Sequence, residues 1–111
     1  MRSKVVITGA GPGGLAAAML LSRAGAEVTV LEQKPYVGGR TSSLHRDGFT
    51  FDLGPTFFLY PEVLSEIYEQ CGLEMESEFE MTRLDPNYRL IFEGEGELNV
   101  TQNVAEMERR I

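Results

Sequence analysis

Gly9-Ala10-Gly11-Pro12-Gly13-Gly14 lies between two stretches of contrasting pattern, and its reading decides the fold. Before it, Lys4-Val5-Val6-Ile7-Thr8 is rich in β-branched side chains and predicts a short buried strand. After it, Leu15-Ala16-Ala17-Ala18-Met19-Leu20-Leu21 is made of helix formers, and the run extends to Ala24 and stops at Gly25. Glu27-Val28-Thr29-Val30-Leu31-Glu32 then predicts a second strand that ends in a carboxylate. Strand, glycine turn, helix, strand and acid in this order are the context in which G-x-G-x-x-G marks a dinucleotide site.

Each part of the turn has a physical task. Gly9 lets the chain leave the strand sharply, where a Cβ is expected to clash. Gly11 lets the backbone approach a pyrophosphate closely, and Gly14 lets the helix pack tightly on the first strand. The helix starts here, so its free N–H groups and the positive end of its dipole face the phosphates. Pro12 suits a first helical position, since its missing N–H has no intrahelical partner there in any case. Glu32, at the end of the second strand, can accept hydrogen bonds from both hydroxyls of an adenosine ribose. It repels a ribose 2′-phosphate, which argues against a phosphorylated nicotinamide cofactor.

Composition narrows the class. The 111 residues have room for one small domain, and 42% apolar with 24% charged residues is globular in character. A net charge of −7 without a basic cluster argues against a nucleic-acid partner. Cys71 is the single cysteine, so an internal disulfide is excluded and a reducing compartment, the cytoplasm, is expected. Nothing after Met1-Arg2-Ser3 predicts a secretory leader, and the Leu15–Leu21 run is too short to span a bilayer. Two parallel strands and one helix leave one sheet face open, and the chain reaches Ile111 inside an amphipathic pattern. Both features predict the N-terminal piece of a longer protein.

Beyond Glu32, Gln33-Lys34-Pro35-Tyr36-Val37 is a polar connection to Gly38-Gly39-Arg40-Thr41. This glycine pair offers a second close approach of backbone to a ligand, and Arg40 brings a fixed positive charge toward the same pyrophosphate. The alternative is a turn with a surface arginine. Ser43 to Asp52 predicts a hairpin about Asp47-Gly48, with Phe49 and Phe51 on one side. His45, the only histidine, is read as a bystander. Leu53-Gly54-Pro55-Thr56 is a loop, and Phe57-Phe58-Leu59-Tyr60 is read mainly as core, with the wall of an apolar substrate channel as the alternative.

The spacing predicts a helix over Pro61–Cys71 that ends at Gly72, with Val63, Leu64, Ile67, Tyr68 and Cys71 on its buried face. Cys71 is read as a packing thiol. Glu74 to Glu80 is read as a solvated acidic loop or edge and not as a metal site. Tyr88–Phe92 and Leu98–Val100 predict a hairpin across the polar turn Glu93–Glu97. A last helix starts at Asn103, with Glu106 in capping-box spacing and Val104, Met107 and Ile111 as its stripe.

Together these residues resemble a known family. The glycine run, Glu32, Gly38-Gly39-Arg40 and Asp52-Leu53-Gly54-Pro55-Thr56 look like the N-terminus of a flavin amine oxidase or phytoene desaturase-type protein. Arg46-Asp47-Gly48-Phe49, Pro61-Glu62-Val63-Leu64 and Leu84-Asp85-Pro86-Asn87-Tyr88-Arg89 tilt the likeness toward the carotenoid desaturase branch. The resemblance implies an α/β fold: the N-terminal part of a Rossmann-like FAD-binding domain (βαβ), followed by β-hairpins and helices. Residues 1–111 would be that N-terminal portion, with 41–111 leading into a substrate domain.

The resemblance also implies FAD. Gly9, Gly11, Pro12, Gly13 and Gly14 would hold its pyrophosphate, and Glu32 with Gln33 the adenosine ribose. Gly38, Gly39 and Arg40 would lie along the diphosphate and ribityl chain, and Gly54, Pro55 and Thr56 would approach the isoalloxazine. This favours the functional reading of the glycine pair. The implied reaction is desaturation of an isoprenoid polyene such as phytoene: a C–H bond gives hydride to the flavin and a neighbouring proton leaves. The implied partner is therefore a lipophilic carotenoid precursor, with peripheral membrane contact by the complete protein. No catalytic acid or base is named by these residues. The alternatives are another flavin oxidase acting on amines or a retinoid, and a truncated, non-catalytic nucleotide-binding domain.

Overall fold

The structure is a computed structural model that describes residues 1–94 and 96–110. It separates into two compact units, Met1–Glu78 and Phe79–Ile111.

The first unit is built on a βαβ element. Strand β1 (Lys4–Thr8) is followed by helix α1 (Pro12–Arg23) and strand β2 (Glu27–Leu31). The strands pair in parallel, Val5 opposite Val28 and Ile7 opposite Val30. Parallel neighbours need a crossover, and the helix is that crossover. Alternation places Val5, Ile7, Val28 and Val30 on a half-buried face, and α1 packs against both strands. The opposite face is open. Val6 is 63% and Leu31 55% exposed, so the expectation of a buried first strand holds for one face only. No other element among the described residues joins this sheet.

Two ends of α1 follow the sequence closely. Pro12 occupies the first helical turn with Gly11 as N-cap, and Ala24 closes the other end before Gly25. A short 3-10 turn, Gly39–Thr41, leads into strand β3 (Ser43–Arg46), which pairs antiparallel with β4 (Phe49–Asp52). The two residues between them, Asp47 and Gly48, both have positive φ (52° and 81°), the conformation that matches the twist of a two-residue hairpin. His45 faces Thr50 across this hairpin, its Nδ1 3.0 Å from the hydroxyl, so it serves a cross-strand contact.

Helix α2 (Pro61–Cys71) packs on α1 and ends at Gly72 in the left-handed conformation. Leu64, Ile67, Tyr68 and Cys71 are half-buried as expected, but Val63 is exposed. The largest departure is at Phe57-Phe58-Leu59-Tyr60, expected as core. All four are exposed, Phe58 by 58% and Leu59 by 77%. The acidic stretch also differs. Met75–Glu78 forms a short helix, α3, and Met75 is buried at 4% exposure, so this apolar side chain anchors what composition presents as solvated loop.

The second unit has its own local frame. Strands β5 (Tyr88–Phe92) and β6 (Gly96–Val100) pair antiparallel, and Arg89 and Glu97 form an ion pair of 3.3 Å across them. The strand begins at Gly96, so the turn is shorter than Glu93–Glu97; Glu95 lies outside the described residues. Helix α4 (Val104–Glu108) is capped by Asn103, whose Oδ1 accepts from the Glu106 amide at 3.1 Å. Met107 is half-buried, but Val104 is 70% exposed, and Ile111 of the expected stripe lies outside the described residues. No helix among the described residues is long and apolar enough to cross a membrane.

Candidate dinucleotide-binding site

Parallel strands end at the same edge of a sheet, and the loops that leave that edge converge there. Here Thr8 and Gly9 leave β1 while Leu31, Glu32, Gln33 and Lys34 leave β2, and together with Gly39 and Arg40 they line an open cleft of about 660 Å³. Five expected site residues therefore meet at one place: Gly9, Glu32, Gln33, Gly39 and Arg40.

Gly9 has φ +96°, a conformation only glycine adopts without strain, and its amide donates to the Leu31 carbonyl at 2.7 Å. A Cβ there would meet nothing within 4 Å, so the conformation, and not the expected clash, explains this glycine. Gly11 and Gly13 likewise have open space where a side chain would be. Gly14 differs: its Cβ would fall 2.1 Å from the Gly9 carbonyl oxygen and 3.5 Å from Ile7 Cγ2. That contact is the tight packing of helix on strand expected at this position.

The N-terminus of α1 carries no side-chain cap and no acidic residue in its first turn. An α-helix leaves its first N–H groups without intrahelical partners, so this end offers donors and a positive dipole to an anion. The turn before it is bare on its outer side, as the space above Gly9, Gly11 and Gly13 shows.

Glu32 faces the turn. Its Oε2 accepts from the Ala10 amide at 2.7 Å and its Oε1 from the Lys34 amide at 3.0 Å. These bonds, first that of Ala10 and then that of Lys34, stabilise the charged form and hold the carboxyl below its ordinary value. The ammonium of Lys34 sits 5.4 Å from the centre of the Tyr36 ring.

The glycine pair packs on the turn itself. Gly38 donates to the Ala10 carbonyl at 2.8 Å, and a Cβ on Gly39 would lie 3.1 Å from the Gly11 Cα. Both have positive φ, 102° and 56°. Thr41 and Ser42 hydroxyls donate to the carbonyls of Gly38 and Gly39, at 2.8 and 2.7 Å, and tie the turn back on itself. Gly54 approaches from the other side, where a Cβ would come within 1.8 Å of the Arg40 carbonyl oxygen. Gly54 thus braces the Arg40 backbone. Pro55 and Thr56 are exposed and do not line the cleft.

Sequence reasoning passed over Thr8, Leu31 and Lys34, which line the cleft, and Ala10 and Ser42, which hold its walls. The first three had a signal, since each neighbours the end of a predicted parallel strand. The other two had none, because their role is in backbone contacts between distant segments.

Fold and site define a βαβ dinucleotide-binding domain. A family model described as the NAD(P)-binding Rossmann-like domain matches residues 7–71, and the chain belongs to that family. Among its relatives are a carotenoid 3,4-desaturase of Haloarcula japonica, 41% identical over 96% of this chain and 21% of the relative. The zeta-carotene-forming phytoene desaturase of Myxococcus xanthus is 42% identical over 97% of this chain and 21% of the relative. A 4,4'-diapophytoene desaturase (4,4'-diapolycopene-forming) of a Methylomonas species is 45% identical over 80% and 17%. The chain therefore spans about a fifth of the length of the curated relatives it matches. Among solved structures, a CLA-producing fatty acid isomerase of P. acnes is similar at 36% identity, with a TM-score of 0.52, over 63% of this chain and 17% of the other.

Proposed function

We propose that this chain forms the nucleotide end of an FAD-dependent oxidoreductase whose complete form desaturates an isoprenoid polyene such as phytoene. The observation that carries the reading is the uncapped start of α1 above a bare glycine turn, set opposite the Glu32 carboxylate at one edge of a parallel pair. That arrangement suits a diphosphate beside a ribose. The names of the relatives direct the choice of reaction toward carotenoid chemistry.

Gly9, Gly11, Pro12, Gly13 and Gly14 would hold the diphosphate. The free lone pairs of Glu32 would accept from the ribose hydroxyls, with Gln33 alongside. Gly38, Gly39 and Arg40 would flank the diphosphate and ribityl chain, Arg40 supplying charge at the cleft wall. Gly54 acts through Arg40, and Pro55 and Thr56 would reach toward the ring system. The flavin, when bound, supplies the two-electron acceptor that desaturation needs. Residues from 41 onward lead toward the substrate, and the exposed Phe57-Phe58-Leu59-Tyr60 run supports an apolar wall for it. A lipid-soluble substrate favours peripheral membrane contact by the complete protein, and the single cysteine, Cys71, favours a reducing compartment such as the cytoplasm.

The test is turnover by the complete protein. Phytoene and a panel of amines are supplied with FAD. Conjugated polyene absorbance is expected with phytoene; oxidation of amines alone would overturn the desaturase reading. A second reading, a nucleotide-binding domain without catalysis, draws on the small number of buried side chains and the span of about a fifth of its relatives. It predicts weak FAD binding or none by the 111-residue chain, read as flavin absorbance after incubation with excess FAD.

A further inference from the structure

In G-x-G-x-x-G the residue after the first glycine counts as a free position. Here it is Ala10, the most buried apolar residue among those described, at 1% exposure. A buried backbone N–H needs an acceptor, and a buried carbonyl gains from a donor. Both groups of Ala10 are used. Its N–H donates to Glu32 Oε2 at 2.7 Å, and its carbonyl accepts from Gly38 at 2.8 Å. Glu32 and Gly38 lie at the two ends of the connection that follows β2, both far in sequence from the turn, and the residues beside them line the cleft.

We infer that Ala10 is a positioning residue: its N–H and its C=O, on either side of one Cα, pin the Glu32 wall and the Gly38-Gly39-Arg40 wall to the glycine turn, so the cleft stands built before any nucleotide arrives. The inference rests on the nucleotide reading only for its effect on affinity. A carboxylate offers about four acceptor positions. The amides of Ala10 and Lys34 take one on each oxygen, and the others stay free for ribose hydroxyls. Holding the turn and receiving the ligand therefore do not compete. The methyl group of Ala10 is enclosed, and Gly39 lies against Gly11 next to it. A larger side chain at position 10 must push one wall away.

The test has a ligand-free and a liganded arm. In the ¹⁵N-labelled chain without nucleotide, the Ala10 amide proton is followed from pH 7 to pH 3. Lys34 and Arg40 are the other ionisable side chains that line the cleft. The Ala10 amide is expected to exchange slowly and to shift as Glu32 is protonated, and the shift is expected to disappear in Glu32→Gln. An Ala10 amide that exchanges like an unfolded chain, or that does not follow Glu32, overturns the proposal.

In the liganded arm, FAD is titrated by fluorescence quenching. Ala10→Val is expected to weaken binding by about tenfold or more through overpacking. Ala10→Gly keeps the same amide and carbonyl and is expected to retain most of that affinity. Wild-type affinity in Ala10→Val also overturns the proposal. A titrating Ala10 amide in a protein that binds no FAD would sink the nucleotide reading and leave the pin standing.

Discussion

Glu32 shows how one side chain answers to acid. Its folded-state carboxyl lies below the ordinary value, because the amides of Ala10 and Lys34 bond the charged form. Its contribution is therefore present above the unfolded-state value of 4.5 and is lost as pH falls through the lower folded value. Unfolding free energies of wild type and Glu32→Gln are expected to run parallel from pH 7 to about pH 5 and to converge in more acid solution. Two glycines make contrasting cases. Gly14→Ala would put a Cβ 2.1 Å from the Gly9 carbonyl oxygen, and a loss of about 1–3 kcal/mol in denaturant unfolding is expected. At Gly11 a Cβ would meet nothing within 4 Å, so Gly11→Val is expected to disturb the fold less than Gly14→Ala. Because the branched side chain would occupy the space meant for a pyrophosphate, flavin absorbance should be lost from the purified complete protein.

At the scale of elements, local signals were legible wherever the chain closes its own hydrogen bonds. Pro12 and Pro61 open α1 and α2, Gly72 ends α2, and Asp47-Gly48 turns β3 into β4. Asn103 caps α4 as its spacing with Glu106 predicts, through the Asn103 side chain and the Glu106 amide. Asn103→Ala is expected to cost about 1 kcal/mol of local stability and to speed exchange of the Glu106 and Met107 amides, read by hydrogen exchange. Burial was less legible than element type. Met75 is buried within an acidic run, while Val63, Val104 and the aromatic run before α2 are exposed. Periodicity says which side chains share a face; it does not say that something covers the face.

The whole molecule displays that gap most clearly on the β1–β2 sheet. Helix α1 covers one face, and Val6 and Leu31 stand on the other with no described element over them. Exposed substitutions away from caps and turns change stability by about 0.5 kcal/mol or less. Val6→Lys is therefore expected to be nearly neutral in thermal unfolding of this chain. In the complete protein, should further segments cover that face, the same change buries an unpaired charge and is expected to destabilise strongly. Comparing the two melting temperatures measures how much of the sheet is completed by residues beyond these.

The order strand, glycine turn, helix, strand and acid was determined by sequence alone, because each step depends on propensity, chirality and steric demands within a few residues. So was the identity of most cleft residues, since parallel strands carry their following loops to a common edge. Only the tertiary structure decided that Gly39 rests on Gly11, that Gly54 braces Arg40, and that Ala10 joins both walls. Those contacts bring together backbone atoms from segments far apart in the chain, and no side-chain pattern encodes where two backbones meet.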